Sequence, residues 1–137
     1  MLKPLGKTIL AVIAATLILP VANAAEPLDI EALVKGNSGT GTCFQGTTKN
    51  GKNETILYIA EHRPDGTMTV TFKLGAKTLV ADGRYTLDQL NMCLDWTDPD
   101  LEDSCYKAIN ASGGKIRLAG DTGTWADGTF SDGACPK

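Results

Sequence analysis

The sequence predicts an all-β protein, an antiparallel meander of seven or eight short strands preceded by one short helix. Beyond Gly36 the apolar residues repeat with period two rather than 3.6. Turn residues such as glycine, asparagine and aspartate separate the apolar segments throughout this region. No segment between them has the length and apolar stripe of a helix, so a βαβ fold is not expected.

The helix is expected just before the strands begin, with Asp29 as its N-cap and Gly36 after its last turn. Ile30, Leu33 and Val34 fall on one face at helical spacing, and this face would pack against the strands.

The strands are expected at residues 39–46, 56–61, 67–73, 78–86, 91–96, 104–110, 115–118 and 124–130. In the third of these, Met68, Val70 and Phe72 alternate with threonines, which predicts one buried and one wet face. The strand at 56–61 is apolar on both faces, which predicts burial on both sides.

Four cysteines, Cys43, Cys93, Cys105 and Cys135, allow three pairings. We favour Cys93 with Cys105, because the polar segment 95–103 between them predicts a hairpin loop with both cysteines near its base. Cys43 would then pair with Cys135. Metal sites need more closely spaced ligand pairs, so we expect structural disulfides rather than zinc.

The same pairing favours a closed barrel over a β-sandwich, which is the alternative. Short turns pair consecutive strands, and a bridge from Cys43 to Cys135 would bring the first and last strands together. Closure would also remove two edge strands that promote aggregation.

Residues 1–24 are predicted to be an export signal. Two lysines precede an uncharged run at 8–19, and a small-residue cleavage site ends at Ala24. The run is too short to span a bilayer. Cleavage would leave one domain, residues 25–137, in the periplasm or outside the cell, not inserted in a membrane and free to form disulfides.

The charge of the chain excludes two classes of partner. The formal net charge is −3, and it becomes −5 when the two lysines leave with the leader. An acidic chain without a basic cluster is not expected to bind nucleic acid or to dock on anionic lipid.

Several short motifs lie along the middle of the chain. They are L-V-K-G-N at 33–37, tyrosine at 58, D-G-T at 65–67, G-R-Y at 83–85, C-L-D-W at 93–96 and C-Y at 105–106. With them, the region 31–109 resembles a family of small exported proteobacterial proteins of unknown function, which usually has threonine at the position of Ser38 and tryptophan at that of Tyr85. The resemblance implies export and a small β domain with a disulfide, and it implies no catalytic residues.

The residues themselves do not indicate an enzyme. His62 is the only histidine, and its place at a strand end before a turn predicts a solvated side chain. Disulfide pairing would leave no thiol nucleophile. The enzymatic alternative is a hydrolase that uses acidic residues of the loop between Cys93 and Cys105 as general acid and base. These residues are Asp95, Asp98, Asp100, Glu102 and Asp103.

Asp98, Asp100 and Glu102 alternate along this loop and form a weak candidate for calcium. The glycine and the bidentate glutamate of an EF-hand loop are missing. We therefore expect a solvated turn, with no metal and no other cofactor.

Tyr58, Trp96, Tyr106 and Trp125 are the candidate binding residues, because tyrosine and tryptophan commonly anchor bound molecules. Ordinary core packing is their alternative role. We expect a monomeric, non-enzymatic binding module whose partner is a small apolar ligand at the barrel mouth or a protein whose cleft its loops inhibit. An envelope structural or interaction protein is the other reading.

Overall fold

The computed structural model describes residues 26–136, and their eight strands form a closed antiparallel barrel in chain order. The elements are helix α1 (Ile30–Lys35) and strands β1 (Thr42–Lys49), β2 (Thr55–His62), β3 (Thr67–Leu74), β4 (Lys77–Leu87), β5 (Met92–Trp96), β6 (Ser104–Asn110), β7 (Ile116–Gly120) and β8 (Trp125–Asp132). The predicted meander, barrel and helix are confirmed. The predicted export signal lies outside the described residues.

Helix α1 has the caps that the sequence predicts. The Asp29 carboxylate accepts a hydrogen bond from the Ala32 N–H at 3.0 Å. Gly36 adopts a positive φ of 69° and donates its N–H to the Ala32 carbonyl at 3.0 Å. The helix is short because this glycine ends it after six residues.

Helix α1 closes one end of the barrel. Its Ile30 and Val34 side chains are fully buried in the core. Just before and at its start, Leu28 donates its N–H to the Ala108 carbonyl at 2.7 Å, and Ile30 donates to the Gln89 carbonyl at 3.0 Å. These bonds fix the helix to the end of β6 and to the β4–β5 turn. We call this the closed end.

The core fills the interior through the alternate, inward side chains of the strands. Met68 and Val70 of β3 point inward and are buried, as predicted. In β2 only Tyr58, Ala60 and His62 are buried, while Leu57 is 40% exposed. The prediction that this strand is buried on both sides is wrong, because a barrel wall has a single inner face. No helix within residues 26–136 is long and apolar enough to cross a membrane.

The barrel closes where β1 pairs with β8. Gly46 and Gly128 lie directly opposite each other in this pair. A Cβ atom on Gly128 would lie 2.1 Å from the Gln45 carbonyl oxygen and 2.6 Å from the Gly46 Cα atom. Only glycine therefore allows the two strands to approach this closely.

Both predicted disulfides are present. Cys43 of β1 is bonded to Cys135, which follows β8, and Cys93 of β5 is bonded to Cys105 of β6. Cys93 and Cys105 are also register partners in the β5–β6 pair, at the base of the acidic loop. One disulfide thus holds the closure of the barrel, and the other holds a hairpin.

We expect Gly128→Ala to destabilise the barrel by about 2 kcal/mol or more, because its methyl group can be accommodated only by moving the backbone of β1. Gly51→Ala is the matched control, since a Cβ atom at Gly51 meets nothing within 4 Å. Denaturant unfolding of both variants measures the difference. Equal stability of the two variants would show that the β1–β8 approach is not tight.

Candidate functional site

The end of the barrel opposite α1 carries a cavity of about 250 Å³ between the inner faces of the strands. We call this end the mouth. The cavity wall is apolar and aromatic, and it is formed chiefly by Ile56, Tyr58, Phe72, Tyr106, Leu118 and Ala126. These side chains come from β2, β3, β6, β7 and β8, so only the closed barrel brings them together.

Tyr58 is held in place by its neighbours. It is the register partner of Phe72 in the β2–β3 pair, and their ring centroids lie 5.4 Å apart at an interplanar angle of 73°. On its other side the Tyr58 ring packs edge-on against Phe44 at 6.0 Å. Such edge-to-face contacts fix the ring between the core and the cavity.

The Tyr58 hydroxyl is a polar group of the cavity, whose lining also includes Thr48, Lys49 and Thr124. The hydroxyl makes no hydrogen bond to another residue within 26–136. In this region, the only unpaired side-chain polar atom without contact to solvent is His62 Nδ1, so the Tyr58 oxygen retains some solvent contact. This oxygen is therefore reachable through the cavity. Burial raises the pKa of Tyr58 well above its usual value, so the group remains a neutral O–H donor.

A second hydroxyl stands nearer the opening. The Tyr106 oxygen lies 3.2 Å from Thr124 Oγ1 in the β7–β8 turn. A Cβ atom on Gly120 would lie 2.6 Å from Thr124 Oγ1 and 2.9 Å from Tyr106 Cε2. Glycine at this position of β7 therefore leaves room for the Tyr106 ring to pack against the turn.

The four predicted binding residues are not equivalent. Tyr58 and Tyr106 face the cavity, and Trp125 contributes to its rim. The Trp125 ring lies on the outer face of β8, 4.6 Å from the Arg117 guanidinium, which is paired with Asp127 at 2.7 Å. Trp96 packs against the core and does not line the cavity.

Sequence reasoning missed Ile56 and Phe72 as cavity residues. The alternation in β3 correctly predicts that Phe72 points to the inner face. Its position at the mouth, and not in the core, depends on its pairing with Tyr58. A local sequence pattern does not show this pairing.

The acidic loop between β5 and β6 is a set of local turns. The Asp98 carboxylate accepts the Asp100 N–H at 2.9 Å, and the Asp103 carboxylate accepts the Trp96 N–H at 3.0 Å. Across residues 26–136, no group of three or more histidine, cysteine, aspartate or glutamate side chains is placed to hold a metal ion.

Replacing Asp98, Asp100 and Glu102 by Asn, Asn and Gln should change stability by about 1 kcal/mol or less, because these side chains are exposed. Millimolar calcium should leave the melting temperature of the unaltered protein unchanged. A calcium-specific rise in melting temperature that disappears in the triple variant would contradict this expectation and identify a metal site.

His62 lies near the closed end and is buried, at 1% exposure. The prediction of a solvated histidine is wrong, because the alternation of β2 carries Tyr58, Ala60 and His62 to the same inner face. Its ring packs against Tyr85 at 5.5 Å and Phe130 at 6.1 Å. Its Nδ1 atom has no hydrogen-bond partner within residues 26–136, and burial lowers the pKa of His62 to about 4.

This pKa predicts a stability loss in mild acid. In the unfolded chain the His62 imidazole takes up a proton near its usual pKa of 6.5. In the folded protein it is protonated only near pH 4, so protonation favours the unfolded state. The free energy of unfolding should therefore fall by about 2 kcal/mol between about pH 7 and about pH 5. Carboxylates whose pKa is lowered, such as Asp65 and Asp127, lose their contribution only at lower pH.

His62→Phe is the control, since it keeps an aromatic ring against Tyr85 and Phe130 without a titratable group. Urea unfolding across this pH range should show a nearly flat profile for the variant. Parallel pH profiles of the two proteins would mean that another group causes the loss.

Comparisons of the chain with protein-family models, with curated proteins and with solved structures found no match. Fold and site together define the class: a small disulfide-linked β-barrel with one end closed by a helix and an aromatic cavity at the other.

Proposed function

We propose that this protein is a non-enzymatic, extracytoplasmic binding module that takes a small, mostly apolar ligand at the mouth of its barrel. The observation that carries the proposal is the cavity of about 250 Å³ lined by Tyr58, Phe72 and Tyr106. Apolar, aromatic cavities with a few polar groups are typical of small-molecule sites, and barrel mouths are a usual place for them.

The apolar surface extends beyond the cavity. A shallower hollow of about 440 Å³ runs along the inner face of β3 and β4 and is lined by Leu74 and Leu79. It shares Ile56 and Phe72 with the cavity. A ligand with a ring in the cavity and a short chain along this hollow would cover both.

Tyr58 supplies the expected polar contact. Its hydroxyl is a neutral donor without a partner among the described residues, so a ligand with a carbonyl or ether oxygen at this depth would gain a hydrogen bond. A ligand without an acceptor would leave the donor unpaired. The cavity should therefore prefer the first kind.

Two disulfides support the extracytoplasmic part of the proposal, since they form and persist in oxidising compartments. The alternative in which loops inhibit a partner has less support. The mouth loops at 50–54, 75–76, 97–103 and 121–124 contain no aromatic residue, and inhibitory loops usually need such an anchor.

The test uses two probes of similar size, acetophenone and ethylbenzene, of which only the first has a carbonyl oxygen. We expect saturable NMR shift changes at Tyr58, Phe72 and Leu118 with both probes, and tighter binding of acetophenone. Tyr58→Phe should weaken acetophenone binding about fivefold and leave ethylbenzene binding unchanged, because one hydrogen bond is worth about 1 kcal/mol.

Ile56→Trp should fill the cavity and weaken binding of both probes by about tenfold or more. Leu57→Trp is the matched control, because the neighbouring residue faces outward and is 40% exposed. Absence of saturable binding, or equal effects of the two tryptophan variants, would reject the mouth as a ligand site.

A further inference from the structure

Strand β4 extends beyond β5, the strand that pairs with it on one side. It has eleven residues, whereas β5 has five. The register between β4 and β5 begins with Gly83 opposite Trp96. One residue earlier in β4, the Asp82 carbonyl accepts a hydrogen bond from the Thr97 N–H at 3.0 Å. Residues 77–81 pair with β3 on one side only. We call this segment the β4 edge.

The backbone of the β4 edge presents hydrogen-bonding groups outward. The Asp82 carbonyl points toward β5, as its bond from Thr97 shows. Because backbone groups alternate along a strand, Thr78 and Val80 turn their N–H and C=O groups to the same side. None of the turn and loop backbone bonds within residues 26–136 involves either residue.

Two side chains of the edge, Leu79 and Val80, are apolar and exposed. Val80 is 57% exposed and Leu79 is 51% exposed, more than Leu57 or Leu90, the other exposed large apolar residues of the described chain. Leu79 and Val80 lie on opposite faces of the strand. An added strand would therefore gain apolar contacts on both of its faces.

The two ends of the β4 edge carry opposite charge. Near its start, Lys77 and Lys52 line one hollow beside the β3–β4 turn together with a single carboxylate, that of Glu54. Lys73, the register partner of Thr78, adds a third positive charge. Beyond its other end, Thr97 leads into the acidic loop at 98–103, which holds four carboxylates. The edge is thus basic at one end and acidic at the other.

We propose that two copies of this protein pair through their β4 edges, antiparallel and centred on Leu79. Thr78 of each copy then lies opposite Val80 of the other, and the two pairs exchange N–H···O=C bonds. Antiparallel pairing also sets the basic end of each edge beside the acidic loop of the other copy. Each contact off the two-fold axis forms twice, as a two-fold interface requires.

The interface is short, because only residues 77–81 are unpaired on one side. We therefore expect it to bury less than the roughly 1,200 Å² of stable complexes. The dimer is therefore reversible and depends on concentration. None of residues 77–81 lines the cavity at the mouth, although Leu79 also lines the neighbouring hollow. The sequence-based expectation of a monomer is the competing outcome.

Sedimentation of the purified, oxidised chain from about 10 µM to about 1 mM tests the proposal. We expect the weight-average mass to rise from one chain toward two. Val80→Pro removes an outward N–H without touching the bonds of residues 79 and 81 to β3. It should weaken dimerisation about tenfold or more, since the bond is lost twice.

Val80→Lys is a second variant in case the proline disturbs folding. It should also weaken the dimer, because it removes the apolar contact of Val80 and sets two like charges diagonally across the two-fold axis. Leu57→Lys makes the same change on β2, which is paired on both sides, and should dimerise normally. Lys77→Glu should weaken association, and adding Asp98→Lys and Asp100→Lys should restore it.

Hydrogen exchange gives an independent readout. The amides of Thr78 and Val80 should become protected as the protein concentration rises, whereas the amide of Leu57 should not change. A single-chain mass at every concentration, or a dimer that persists in both Val80 variants, would overturn the proposal.

Discussion

The contact between β1 and β8 is the constraint on which the rest of the structure depends. Gly46 and Gly128 let the two backbones meet without side chains between them, and the Cys43–Cys135 bond crosses the same junction. In the chain-entropy model, a bond that closes a loop with a separation of 92 residues contributes about 4–5 kcal/mol. Without this junction there would be no single interior, no buried Phe44 and no cavity at the mouth.

Local chemistry explains why much of the fold was predictable. Strand β6 has the predicted bounds, 104–110, and α1 ends where its glycine stands, because turn residues and caps act over a few positions. The disulfides followed from strand order. The predictions were wrong where strand pairing across the barrel decides which side chains are buried. His62 is polar, but the alternation of β2 places it on the inner face. Leu57 on the outer face of β2 is apolar but exposed.

The candidate site shows the same division. Residue type pointed to tyrosine and tryptophan, and this was enough to find Tyr58 and Tyr106 in the cavity. It could not separate Trp96 from Trp125. Trp125 is next to the inward Ala126 and so takes the outer face beside Arg117, while Trp96 meets the core opposite Gly83. Such placement follows from register across strands that lie far apart in the sequence.

Both ends of the described chain lie at the closed end of the barrel. Residues 26–28 lead into α1 at the closed end, and Cys135 is bonded to Cys43 at the start of β1, on that same side. Both ends of the described chain therefore emerge away from the mouth. A tag, carrier or solid support joined at either one would leave the cavity unobstructed, so the barrel can be displayed in a uniform orientation by simple end attachment.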